Sequence, residues 1–129
     1  MFKKCRIVLV DDHEAIRKAL CNLLSLYEDM QIVGEAADGK EAIDIVSSCR
    51  PDVVVMDINM PRMNGLEAAN LMKKSWEETV IIGLCTVQDT YTTDAFLRAG
   101  ASAVVSKNRI ADLYPTIQRA CENTVEPSR

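Results

Sequence analysis

No apolar run in the 129-residue chain approaches the roughly 20 residues of a membrane-spanning helix, and the amino terminus carries no apolar core followed by a cleavage site. Both absences argue against membrane insertion and against a secretory signal, and the expected location is cytoplasmic. Basic charge is also scarce. Lys and Arg number 15 against 19 Asp and Glu, for a net charge of -4, so no broad surface for DNA or RNA is advertised. The one dense basic run, Lys3, Lys4 and Arg6, leads straight into an apolar segment and reads as a solvated face. Cysteine is present at 5, 21, 49, 85 and 121, but the number is odd, the spacing wide and no C-x-x-C occurs. A zinc site or dithiol redox motif is therefore not indicated, and these residues are expected to be small buried hydrophobes in a reducing compartment, without disulfides. Internal repeats and low-complexity segments are missing as well.

What remains is an ordinary globular composition, 48% hydrophobic and 26% charged, in a chain long enough for one domain with its own core. Short β-branched runs at 5–10, 31–36, 53–56, 80–85 and 103–106 read as strands. Between and after them, Ile16/Leu20/Leu23/Leu24, Ala42/Ile45/Val46/Cys49, Ala68/Leu71/Met72, Tyr91/Ala95/Ala99 and Leu113/Ile117/Ala120/Cys121 follow helical spacing. Punctuation fits this parse: Arg50-Pro51-Asp52 precedes strand 3, Asn64-Gly65 precedes helix 3, and Gly100 stands where a helix C-cap is wanted. Five βα units with near-continuous apolar strands predict a doubly wound three-layer α/β sandwich, its parallel sheet ordered 2-1-3-4-5. The domain is expected over 1–123, with 124–129 a polar tail or the start of a linker.

In such a sheet ligands bind beyond the carboxyl ends of the strands, where strand order reverses. Asp11 and Asp12 follow strand 1 and Asp57 follows strand 3, so three acids converge at that point. Their mutual repulsion calls for a positive ligand, and a hard divalent cation suits oxygen donors. Thr86 after strand 4 and Lys107 after strand 5 add a hydroxyl and an amine. Singly, each has a plain reading: Asp11-Asp12 as a strand end and cap for a helix over 14–26, Asp57 as the start of a Pro-containing turn, Thr86 as a strand-end hydroxyl, Lys107 as a solvated lysine. Together they form a constellation that those readings do not account for. His13 is expected to serve in local capping or face solvent, Leu20/Leu23/Leu24 to be core, and Tyr27 and Trp76 to be partly buried.

Val10-Asp11-Asp12-His13, Met56-Asp57-Ile58-Asn59-Met60-Pro61 with Met63-Asn64-Gly65, Cys85-Thr86 and the stretch from Gly100 to Lys107 stand in order at strand ends. This pattern resembles the receiver domain of two-component response regulators over essentially the whole chain. The Asp-Asp-His opening, Val33-Gly34-Glu35-Ala36 and Gly100-Ala101-Ser102 look most like the NarL-type branch. The resemblance implies that Asp57 is the nucleophile that takes a phosphoryl group from a phosphohistidine of a sensor histidine kinase. It implies Mg2+ held by Asp57, Asp12, Asp11 largely through water, and the Asn59 carbonyl. Lys107 and the Thr86 hydroxyl would grasp phosphoryl oxygens, with Lys107 pairing with Asp57 beforehand. The implied protein is a phosphoacceptor switch, not a multi-turnover enzyme, that forms a homodimer or releases an effector on phosphorylation. For the NarL-type branch the effector is a helix-turn-helix DNA-binding domain, expected to be missing from this chain, so that the domain itself touches no nucleic acid or membrane. A stand-alone phosphorelay protein is the alternative. An aspartate-nucleophile phosphatase of the haloacid dehalogenase type is disfavoured because neither Asp11-Asp12-His13 nor Asp57-Ile58-Asn59 is D-x-D, and a pseudo-receiver that is never phosphorylated is a third reading.

Two positions depart from the family pattern. Val104 stands where many receivers have a Tyr or Phe that swings with the Thr, and Asn108 replaces a proline that often follows a cis bond after the lysine. A β-branched side chain cannot make an aromatic swing, and a non-proline peptide favours trans by roughly 2.5–4 kcal/mol. Gln88 and Asn59, beside the site, are expected to tune the lifetime of the phosphoaspartate.

Overall fold

The structure is a computed structural model that describes residues 4–58, 60, 64–86 and 90–124. Its sheet grows from strands buried on both faces. Along β1 (Cys5–Val10) and β3 (Val53–Asp57) every residue except Arg6 is buried, which only a central position with helices above and below allows. With β2 (Met30–Ala36), β4 (Val80–Cys85) and β5 (Ala103–Ser106) they form a parallel sheet ordered β2-β1-β3-β4-β5, as the sequence predicts. The pairing of β1 with β2 slips between Ile7 and Val8.

Alternation along each strand divides the core in two. Val8, Val10, Val54 and Met56 face α2 (Gly39–Cys49), α3 (Gly65–Ser75) and α4 (Thr90–Arg98), where Ala42, Val46, Ala68, Met72 and Phe96 meet them. Ile7, Leu9, Val53 and Val55 face α1 (Glu14–Leu24) and α5 (Leu113–Thr124) through Leu20, Leu24, Leu113 and Ile117. The caps are those their sequences suit. Asp38 and Asn64 accept from the N–H of Glu41 and Glu67 three residues on, and Gly100 takes φ +119° at the end of α4.

Several expectations are corrected. The buried side chain of α4 is Phe96, at 0% exposure, whereas Tyr91 is 81% exposed. The reason lies across the interface: a Cβ built on Gly83 would stand 2.4 Å from the Phe96 ring, so the glycine leaves a socket that turns the helix onto that ring. Leu71 is likewise exposed, with Ala69 buried in its stead. Arg6 is not part of a solvated face; its guanidinium donates to the carbonyls of Cys49 and Arg50, the orphan acceptors at the end of α2. Arg50, in the left-handed region at φ 48°, lies over the Trp76 ring at 5.4 Å. Helix α1 stops at Leu24, so Leu26 is exposed, and Tyr27 stacks on Tyr114 with ring centroids 3.6 Å apart.

The cysteines also differ from expectation, since Cys5 and Cys121 are joined by a disulfide with Cα atoms 6.0 Å apart. A separation of 116 residues hides this pair from any reading of spacing; only the docking of α5 beside the start of β1 brings the two together. Cys21, Cys49 and Cys85 form no disulfide, and the first two are only half-buried. After β5 a 3₁₀ segment, Lys107–Asp112, precedes α5, and Ser106 Oγ accepts from the Asn108 N–H. No cis peptide occurs among the described residues, as expected for Lys107-Asn108. Asn59, Pro61, Met63, Gln88, the basic Lys3 and the tail over 125–129 lie outside the described residues.

Candidate functional site

Parallel register places the site. Val10 pairs with Met56, Asp57 with Leu84, and Cys85 with Ser106, so the residues that follow or end these strands, Asp11, Asp57, Thr86 and Lys107, share one edge of the sheet. Asp11 is 1% and Asp57 5% exposed. Two buried carboxylates side by side are costly unless a cation is shared between them. Lys107 is that cation: its Nζ lies 2.8 Å from Asp11 Oδ2 and 3.4 Å from Asp57 Oδ2, with the side chain 13% exposed. The expected partner, Asp57, is therefore shared, and Asp11 is the nearer of the two. Burial by itself lowers the Lys107 pKa, but the hydrogen bond to Asp11 and the charges of Asp57 and Asp11 outweigh it, and the net shift is upward.

Asp11 is fixed from several sides. Its Oδ1 accepts from the His13 N–H at 2.8 Å, and its carbonyl accepts from Arg17 Nη1 at 2.6 Å. The plain capping reading thus holds for Asp11 only as a turn; the N-cap of α1 is His13, whose side chain caps nothing. The imidazole is exposed, and its Nδ1 stands 3.1 Å from Asp11 Oδ1 and 3.2 Å from Asp12 Oδ1. Asp11 Oδ2 is buried against the Lys107 ammonium. Ligand atoms of Asp11, Asp12, His13 and Asp57 all lie within 4.8 Å of one another. A mostly carboxylate cluster fits a hard divalent cation.

Thr86 is exposed just beyond β4, and its carbonyl accepts from Asn108 Nδ2 at 3.4 Å, which ties two strand ends together. Asn59 is outside the described residues. Two participants were missed by sequence reasoning. Arg17, one helical turn after His13, holds the Asp11 backbone and is itself held by Glu35 at 3.1 Å; the signal was a basic residue at i+4 from the N-cap of a helix that follows two acids. Gly65 donates to the Ile58 carbonyl at 2.7 Å, and a Cβ there would lie 2.3 Å from the Asp57 carbonyl. Its role is close approach to the backbone that carries Asp57, beyond a turn preference.

A doubly wound parallel sheet with an acidic site at its switch point defines a flavodoxin-like α/β domain built for a charged ligand. The pattern of the response regulator receiver domain matches residues 7–118, and the chain belongs to that family, the receivers of two-component signalling. It is 40% identical over 106 residues to a protein-glutamate methylesterase/protein-glutamine glutaminase of Pyrococcus abyssi, covering 81% of this chain and 29% of that protein. It is 32% identical over 109 residues to the transcriptional regulatory protein DegU of Brevibacillus brevis, covering 84% of this chain and 46% of the relative. The signal receiver domain of the putative response regulator NarL from Mycobacterium tuberculosis superposes with a TM-score of 0.87 at 26% identity, covering 94% of this chain and 98% of that one. The chain thus spans less than half the length of these curated relatives, and NarL-type receivers are among the proteins it is similar to. No helix among the described residues is long and apolar enough to cross a membrane.

Proposed function

We propose that Asp57 accepts a phosphoryl group from the phosphohistidine of a sensor histidine kinase, and that the modified domain switches an effector. The observation that carries this reading is the shared ion contact of Lys107 with Asp57 and Asp11 at the switch point. An ammonium already between two carboxylates can follow the charge as it moves onto a phosphoryl group. Asp57 supplies the nucleophilic oxygen; a bond to phosphorus forms as the bond from the donor's imidazole nitrogen breaks, and that nitrogen leaves with the electron pair. Lys107 and the Thr86 hydroxyl hold phosphoryl oxygens. Mg2+ fits the donor set of Asp11, Asp12, Asp57 and the Asn59 carbonyl, and when bound it neutralises charge on the phosphoryl oxygens. The carboxylates of Asp11, Asp12 and Asp57 carry more negative charge than Lys107 offsets, and such a cation would balance it.

The effector is a separate domain of a longer cytoplasmic protein; the relative named as a transcriptional regulatory protein supports a DNA-binding one, and the proposed control is homodimerisation on phosphorylation. The methylesterase likeness supplies the competing output, and the gene sequence downstream of Arg129 separates the two. In this reading the domain contacts neither DNA nor membrane. The test of the chemistry is incubation with a small phosphodonor and Mg2+, followed by intact mass and peptide mapping. One phosphoryl group on Asp57, absent in Asp57→Asn and without Mg2+, is the expected outcome. Sustained phosphate release from many monoesters would instead identify a phosphatase, and no adduct at all a pseudo-receiver.

A further inference from the structure

The opposite end of the sheet carries a second reactive group. Cys5 is the first residue of β1 and Cys121 lies in the last turns of α5, and both are buried beneath the lower edge of the core that α1 and α5 share. Elsewhere α5 is held by apolar contacts of Leu113 and Ile117 on β3 and β4 and by the ring stack of Tyr114 on Tyr27. Apart from the main chain that leads in from β5, the Cys5–Cys121 bond is its covalent link to the sheet, and the other three cysteines form no disulfide.

We propose that Cys5 and Cys121 are a redox modification site, oxidised by a low-molecular-weight disulfide and reduced by a dithiol, that clasps the end of α5 to the start of β1. The reaction balances as thiol–disulfide exchange. One cysteine thiolate attacks the reagent disulfide and releases one reagent thiol; the second cysteine then attacks the mixed disulfide, releases the other, and closes the protein bond. Two protein thiols lose two electrons and two protons, and the reagent disulfide gains them. The carboxylate of Asp52 lies within 4.8 Å of both sulfurs. Both cysteines are buried, so exchange proceeds when the end of α5 lifts and is slow when it is docked. The site thereby reads the docking of α5 and, once oxidised, holds it. β1 separates the clasp from Asp11 by six residues, about 20 Å of strand, so this inference is independent of the chemistry at Asp57.

The test equilibrates the native chain with excess glutathione disulfide or with dithiothreitol. Thiols are then counted by maleimide mass tagging, bonds are mapped by peptide mass spectrometry, and thermal melting and amide exchange are measured on both forms. Free thiols are expected to fall from five to three, with a single cross-linked peptide that joins Cys5 to Cys121. Amide exchange in the last turn of α5 slows by at least about tenfold and the melting temperature rises by on the order of 10 °C. Cys121→Ser and Cys5→Ala each abolish both shifts, and the reduced wild-type chain serves as reference should either variant fold poorly. Retention of all five thiols, oxidation that joins other cysteines or two chains, or a 5–121 bond that leaves exchange and melting unchanged would each overturn the proposal.

Discussion

At the amino-terminal end of the sheet, Arg6 covers the last carbonyls of α2 while Asp52 accepts the Arg6 N–H at 2.9 Å. At the carboxyl end of the same strands, Asp11, Asp12 and Asp57 stand together, with Lys107 bridging Asp11 and Asp57. The first arrangement pairs each group with a local partner and is complete. The second has more negative than positive charge. One strand, β1, therefore begins in a region built for stability and ends in one whose charges become balanced only when something else arrives.

Removing Lys107 should show this contrast most strongly. Lys107→Ala is expected to slow phosphoryl uptake from a small phosphodonor by on the order of 10²–10³-fold. It should also lower stability by about 1–3 kcal/mol in the absence of divalent cations, with much of that loss restored by Mg2+. Mass-resolved uptake kinetics and thermal melts with and without the ion check both. The pH dependence has a definite sign. Because the folded pKa of Lys107 is raised, its stabilisation is fully present below the ordinary lysine range and is lost as pH climbs through the folded value. The melting difference between wild type and Lys107→Ala should thus persist through neutral pH and close only in strongly alkaline solution.

Gly65→Ala comes next. Its Cβ would meet backbone atoms of Asp57 and Ile58, at 2.3 and 2.8 Å, which cannot step aside as a side-chain tip can. A cost of about 2–3 kcal/mol in chemical denaturation is expected, together with slower uptake at Asp57. Arg6→Ala, at the other end, should cost about 1–2 kcal/mol by uncovering two carbonyls, yet leave uptake unchanged; any change there would break the separation of the two ends. The smallest effect concerns Cys21. Burial first, then the hydrogen bond and charge of Glu35, push its thiol up to about 11. Near pH 8 its alkylation should run on the order of tenfold slower than that of an ordinary thiol, since a scarcer thiolate is only partly offset by its greater nucleophilicity. Glu35→Gln should recover part of that rate in a mass-spectrometric labelling time course.

Strand positions, sheet order and the meeting of Asp11, Asp57 and Lys107 were legible in sequence because each follows from an apolar run and the residue that ends it. Distances across the site were not, and so the nearness of Lys107 to Asp11 emerged only from the packed structure. Features that depend on two remote segments were also hidden: Cys5 with Cys121, Arg6 with the end of α2, Arg17 with the Asp11 carbonyl. In α4 the periodic pattern of Tyr91, Ala95 and Ala99 misled because burial there is decided by the shape of β4, and helical spacing contains no record of a socket on a neighbouring strand.

That socket has a consequence for how the fold comes apart. Phe96 is the one fully buried residue of α4, so much of the helix's anchorage to the core runs through one ring seated on Gly83. Little apolar surface is exposed when it lifts, and its local opening requires far less free energy than unfolding of β1 or β3. Positions 83 and 96 thus behave as one packing unit, in which a larger residue on the strand demands a smaller one on the helix.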